Sequence, residues 1–196
     1  MMRKLPLVAT LLVALAVLTM IGLGLWQLSR AGEKDALIDR YKAAHSLPPT
    51  AFPTVPITDD ALPLFRRATG FCLRVTGTRR TAGTNRQGET GYVHIAECST
   101  GAEGPGMAVQ MGWSKDPNAK IAWSGGPVSG IIAPDSKTGM RLVAAGAPPG
   151  LETSAEPSVD AIPNNHRSYA LQWFLFAGAA LLIYSLAVRQ RLKARP

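Results

Sequence analysis

The strongest constraint on this chain is a pair of apolar runs near its ends, separated by about 140 residues of ordinary mixed sequence. From Leu5 to Leu25, 21 consecutive residues carry no charge and are rich in Leu, Val and Ala. A helix needs ~20 such residues to cross a hydrocarbon core ~30 Å thick. From Tyr169 to Val188 there are 20 more, with Gln172 and Ser185 as polar interruptions and Trp173 and Tyr184 near the two ends, where aromatic belts form. The expected fold class is therefore membrane α+β, with two transmembrane helices flanking a β-rich extracytoplasmic domain. The boundaries are a tail over 1–4, a first span over 5–25, an extracytoplasmic domain over 26–162, a second span over 163–188 and a basic tail over 189–196.

A cleaved signal peptide is the competing reading of the first run, because Arg3 and Lys4 precede it. Signal h-regions are only about 7–15 residues long and end at a small-residue site. This run is longer and passes into GLGLWQLSR with no A-x-A pattern, so it reads as an uncleaved anchor.

Charge sets the orientation. Arg3 and Lys4 at one end, and Arg189, Arg191, Lys193 and Arg195 at the other, make both tails basic and free of acid, which predicts that both termini are cytoplasmic. The segment between keeps 15 basic against 13 acidic residues. The pI of 9.9 thus reflects topology and gives no reason to invoke nucleic acid. No Arg-rich transit peptide precedes the first span, which favours a multi-pass protein of a bacterial plasma membrane with a periplasmic central domain.

After the first span, WQLSRAGEKDALIDRYKAAH carries Leu37, Tyr41 and Ala44 at helical spacing. The helix should continue over 26–45 until the prolines of LPPTAFPTVP, either as a solvated stalk or as a docking face. From Phe71 the period becomes two. FCLRVTG, GYVHIAEC, MAVQMGW, PVSGIIAPD and GMRLVAA read as strands separated by turn residues. They predict a small antiparallel sheet over 64–146, curled into a barrel or forming a sandwich. From AAGAPPG to about Ala161 periodicity is lost, as in a surface connection.

Cys72 and Cys98 are symmetric about Asn85 in the turn-like TAGTNRQGET. Their strands are expected to pair as a hairpin, both thiols on one face and Val75 and Val93 on the other. A disulfide, which persists outside the cytoplasm, two unpaired core cysteines, and a copper or zinc site that adds His94 all remain open.

No catalytic constellation emerges. The histidines are His45, His94 and His166, scattered over stalk, strand and membrane edge, and His94 and Glu97 point to opposite strand faces. There is no phosphate-cradling glycine motif and no H-E-x-x-H. The chain reads as a protein that is not an enzyme, and the discriminating observation would be a hydrolytic or redox activity.

His166 is the residue to explain. Pro163 can only begin a helix and Asn164 or Asn165 is a good N-cap, so His166 falls in the first turn of the second span. There the positive end of the helix dipole disfavours a cation, and a neutral imidazole offers the lone pair that an iron porphyrin accepts as axial ligand. Tyr169, Ala170 and Trp173 follow on the same side as an aromatic and small-residue strip. Arg167 and Arg30 could meet propionates at the membrane surface. The alternative is an ordinary interfacial anchor. Trp26 and Gln27 read as interfacial anchor and helix partner, or as contributors to such a pocket.

Two membrane-edge stretches, LGLWQLSRAGEKDALI and NNHRSYALQWF, together with GYVHIAEC and AVQMGW between them, resemble the Surfeit locus protein 1 family over nearly the whole chain. The resemblance implies a two-span membrane protein that assists assembly of haem-copper cytochrome c oxidase. It implies that haem a is received from haem a synthase and supported on its way into oxidase subunit I, with His166 matching the histidine proposed as ligand to the haem iron. Two departures stand out. Gln110 and Met111 replace the Asn and Arg of the family's usual NRGW, and Arg167 stands where the family usually has leucine. The intervening loop is also shorter than in many members. These changes fall mainly on the outer domain, so the resemblance speaks less for its partner surface than for the membrane edge. The other reading to discriminate is a structural accessory or scaffold of the oxidase that binds no haem.

Overall fold

Between Pro6 and Pro48 no proline interrupts the chain, and one uninterrupted helix results. It is α1 (Leu7–Ser46), of 40 residues, about 60 Å long at 1.5 Å per residue. The computed structural model describes residues 6–101, 104 and 106–193, with the backbone alone at 60 and 161. Arg3, Lys4 and Leu5 at one end and Arg195 at the other lie outside the described residues. The second apolar run forms α2 (His166–Lys193), of 28 residues. Both helices are long and apolar enough to cross a membrane. The chain divides into a helical unit, residues 1–37 with 163–196, and a sheet unit, residues 38–162.

In the helical unit the buried positions are Val17, Gly24 and Ala31 on α1 and Ala170 and Ala177 on α2. Each set repeats every seven residues, the seam of a left-handed helix pair, and four of the five are small, as membrane helix contacts favour. Gly24 has a definite reason to be glycine. A Cβ there would stand 2.5 Å from the Phe174 ring, so the bare backbone is what lets Phe174 close on α1. Gly22 and Gly178 lie away from the contact, and a Cβ on either would meet nothing within 4 Å. Toward the other end of the pair the Thr10 and Tyr184 hydroxyls hydrogen-bond to each other.

The sheet unit contains β1 (Thr50–Ala51), β2 (Arg67–Cys72), β3 (Arg74–Thr84), β4 (Thr90–Ser99), β5 (Met107–Ser114), β6 (Gly126–Asp135) and β7 (Gly139–Ala144). They make one sheet in the order β1-β2-β6-β7-β5-β4-β3. The expectation of a purely antiparallel sheet is corrected, because β1 with β2 and β5 with β7 are parallel. A short antiparallel loop joins β6 to β7, and β7 then lies beside β5 in the same direction. This mixed order arises from strand neighbours distant in sequence, which period-two patterning does not encode.

Cys72 and Cys98 form a disulfide, Cα to Cα 5.3 Å. They sit on β2 and β4, four places apart in the sheet, a span of roughly 19 Å if the sheet were flat at ~4.8 Å per strand. The sheet must therefore roll back on itself. The core follows from that curl: Phe52, Phe65, Ala68, Cys72, Ala96, Cys98, Val109, Ile132 and Leu142 meet inside it. Tyr41, on the last turns of α1, meets Phe65 in a tilted ring contact at 4.9 Å between centroids. Each large aliphatic side chain fully removed from water there contributes about 1.5–3 kcal/mol.

The predicted hairpin exists as β3 and β4, but the strand of Cys72 is not part of it. The strand breaks at Leu73, and a register shift follows between Val75 and Gly77, so that Val75 is the direct partner of Cys98 and shares its face. The turn itself is organised by Asn85, 1% exposed. Its Oδ1 accepts the backbone N–H groups of Gln87 and Glu89, and its Nδ2 donates to the carboxylates of Glu89 and Glu152. Nearby, Trp113 donates its indole N–H to Gly83 O at 3.2 Å. It lies so close to Gly91 that a Cβ there would be 2.6 Å from its ring.

A polar cluster closes the sheet between β3, β6 and β7. The Asp135 side chain is 1% exposed and accepts from Arg79 Nη2 at 2.7 Å and Arg141 Nη1 at 3.1 Å. The Thr138 hydroxyl and backbone N–H also donate to it, at 2.8 and 3.0 Å. Burial alone would push the Asp135 carboxyl up, but these hydrogen bonds from Arg79, Thr138 and Arg141 outweigh it and hold the group well below the usual carboxylate range. Arg141 Nε also donates to Gln110 Oε1 at 2.9 Å. Gln110 and Met111 are 4% and 5% exposed. The departures from the NRGW pattern therefore lie in the interior of the sheet unit.

Candidate functional site

Leaving the apolar part of α1, Gln27, Ala31 and Asp35 recur at four-residue intervals and so share one helix face. Each meets the start of α2. Gln27 Oε1 lies 2.7 Å from His166 Nδ1. Ala31, 2% exposed, lets the helices close, and its carbonyl accepts Asn164 Nδ2 at 3.3 Å. Asp35 accepts Asn164 Nδ2 at 2.8 Å and Arg167 Nη2 at 2.7 Å. The chain reaches this arrangement because Pro163 and the two asparagines end the preceding loop. Asn165 O accepts the first helical N–H, from Tyr169, while the Asn164 side chain is spent on α1 and leaves the capping position to Asn165.

An amide oxygen can only accept, so the contact to Gln27 requires Nδ1 of His166 to carry the hydrogen. In the neutral ring, that leaves the lone pair on Nε2. A histidine held by a hydrogen bond through one ring nitrogen and open at the other is the usual form of an imidazole metal ligand. His166 is half-buried, and among the described residues no nucleophile or carboxylate is bonded to it. The arrangement is thus suited to ligation and not to proton relay. The donor set fits one axial position of a haem iron.

The remaining sequence-predicted residues surround His166 unevenly. Arg167 is tied to Asp35, in a pair whose side chains are 75% and 40% exposed. Arg30 is bonded to Glu33 at 2.6 Å and lies over the Trp26 ring at 5.8 Å from its centroid. Exposed pairs of this kind contribute about 0–1 kcal/mol and are readily exchanged for another anion. Trp26 and Tyr169 are exposed, 52% and 50%. Trp173 is half-buried and meets Phe176 edge-on at 6.3 Å. Ala170, 1% exposed, fills the helix contact itself, so the strip open to a flat apolar ligand runs along Tyr169 and Trp173, beside the seam. Asp35 and Asn164 join the site although the sequence alone gives them no such role. The four-residue row Gln27, Ala31, Asp35 is the signal that could have found Asp35.

His94 stands apart, buried in the sheet unit. The disulfide occupies both thiols, so the metal site of two cysteines with His94 is overturned.

Residues 14–178 match the SURF1 family, a stretch that takes in most of α1, all seven strands and the first part of α2. The chain belongs to the SURF1 family. Members of the SURF1 family are associated with assembly of cytochrome oxidase and are assembly factors. No curated protein matches the chain. Membership connects it with the cytochrome oxidase assembly machinery, and the pair of apolar helices agrees with a membrane protein.

Proposed function

We propose that this chain is a non-enzymatic assembly factor for haem-copper cytochrome c oxidase that binds haem a transiently and supports its delivery to oxidase subunit I. In this reading both termini are cytoplasmic and the sheet unit is periplasmic. The basic residues at the two ends and the Cys72–Cys98 disulfide support that orientation. Haem a synthase is the supplier of the cargo and subunit I its recipient.

The observation that carries the reading is the 2.7 Å contact of Gln27 Oε1 with His166 Nδ1, which fixes the imidazole so that Nε2 is the ligating atom. Tyr169 and Trp173 supply an aromatic wall, and Trp26 extends it from α1. Arg167 and Arg30 exchange Asp35 and Glu33 for propionates. When bound, the haem supplies no chemistry to this chain beyond being cargo. A single protein axial ligand and exposed cationic partners suit a carrier that must release. Release follows when the oxidase's own ligands compete.

The test is the visible spectrum of the detergent-purified protein, wild type against His166→Ala, after coexpression with the haem a biosynthetic enzymes. A haem a band that is lost or shifted in the variant is expected. No pigment in either protein returns His166 to an interfacial anchor and leaves the scaffold reading, which stable one-to-one copurification with mature oxidase would support.

A further inference from the structure

The sheet unit holds a polar cleft of about 420 Å³, lined by Thr78, Arg80, His94, Asn118 and Lys120 among others. That volume lies in the range of small-molecule sites, ~300–1,000 Å³. His94 and Arg80 are direct cross-strand partners of β4 and β3, and Thr78 precedes Arg80 by two residues on the same face. The segment after β5 supplies the other wall. Asn118 N–H donates to Asp116 Oδ1 at 2.8 Å and Ala119 N–H to Asp116 O at 3.3 Å, so the loop that carries Lys120 has a defined turn.

Three features of this cleft bear on what it could hold. His94 is 4% exposed, yet its Nε2 has no hydrogen-bond partner among the described residues. Buried polar atoms are nearly always satisfied, and one that is not calls for a partner. Arg80 and Lys120 are both exposed and make no hydrogen bond or ion pair among the described residues. No carboxylate lines the cleft among the described residues, and the one other cation beside it, Arg79, is already committed to Asp135 and Glu97. The cleft therefore presents a planar guanidinium and an ammonium with no carboxylate facing them in its lining, beside a hydroxyl, an amide and an imidazole.

We propose that this cleft binds a small anion bearing a carboxylate or phosphate group. The anion is held between Arg80 and Lys120, with His94 in the lining beside it. Arginine presents paired N–H groups that match both oxyanions, and lysine adds a point charge. The site is independent of His166, and neither depends on the other.

The experiment uses the full chain in detergent micelles with 15N-labelled histidine. Inorganic phosphate and acetate are titrated separately, with ionic strength held constant by chloride. The expected result is a saturable shift of the His94 imidazole resonances in at least one titration, with His45 and His166 unmoved. The titration that responds names the group. Arg80→Gln and Lys120→Gln each weaken the response about tenfold, the loss of one charge-assisted hydrogen bond. Both side chains are exposed and without partners among the described residues, so the melting temperature of the variants should match wild type. The proposal is overturned if His94 stays still in both titrations, if all three histidines drift together without saturating, or if both variants bind as tightly as wild type.

Discussion

Gln27 Oε1 and His166 Nδ1 are 2.7 Å apart although 139 residues separate them in sequence, and this contact decides which nitrogen of His166 is free. Gln27→Leu keeps the bulk and removes the acceptor. With His166 as haem ligand, as proposed, losing such an outer partner typically costs 10–100-fold in affinity. Titration of the purified protein with haem a, followed in the visible spectrum, is expected to give that loss for Gln27→Leu and near wild-type binding for Gln27→Glu. Equal affinity in Gln27→Leu and wild type would remove Gln27 from the site.

Gly24 and Gly22 lie on different faces of α1 and should differ in tolerance. A Cβ on Gly24 meets the Phe174 ring at 2.5 Å, whereas one on Gly22 meets nothing within 4 Å. Gly24→Leu should destabilise the helix pair by about 1–3 kcal/mol, the range for overpacking, and Gly22→Leu by less than about 0.5 kcal/mol. Unfolding of the helical signal in mixed micelles with increasing SDS measures both. Combining Gly24→Ala with Phe174→Ala should recover most of what Gly24→Ala alone loses, because the two positions share one contact.

The sequence makes the strands visible and hides their neighbours. FCLRVTG, GYVHIAEC, MAVQMGW, PVSGIIAPD and GMRLVAA each contain or overlap an observed strand, but alternation does not name the buried face everywhere: MAVQMGW is buried on both faces, and in FCLRVTG Phe71 and Leu73 are exposed while Cys72 is buried. The curl of the sheet brings Cys72 to Cys98, and the sequence leaves their pairing open because it depends on strand order. Order is set by which strands meet across the loops, not by local period. The break at Leu73 is equally hidden, since F-C-L-R-V alternates straight through it. At the helix ends, His166 is legible from Pro163 and the apolar run. Asp35 is not, because a lone carboxylate among Glu33, Lys34 and Asp39 gains meaning only when Asn164 and Arg167 arrive from α2.

The disulfide should be a large part of the sheet unit's stability. Its cysteines are 26 residues apart, and closing a loop of that length is worth about 3.5 kcal/mol on the chain-entropy account. Paired Cys72→Ser and Cys98→Ser substitutions, or reduction with dithiothreitol, should lower the denaturant midpoint reported by Trp113 fluorescence. An unchanged midpoint on reduction would mean that the rolled sheet holds without the covalent link.

Asp135 should make the sheet unit sensitive to acid. Its carboxyl is held well below the usual range in the folded protein, whereas in the unfolded chain it returns to an ordinary value near 4. The unfolded state therefore binds the proton more readily. The contribution is fully present above that ordinary value and is lost progressively as pH falls below it. Asp135→Asn removes the charge at every pH and leaves Arg79 and Arg141, 21% and 22% exposed, facing each other without their shared carboxylate. Removing one partner of a buried pair costs about 3–5 kcal/mol, and the partial exposure of both arginines places the expected loss at the lower end. Urea unfolding at pH 7 and pH 3 measures it: wild type should lose stability between the two, and Asp135→Asn should start lower and lose less. If both proteins lose the same amount, the acid sensitivity belongs to other carboxylates and the cluster around Asp135 is not its source.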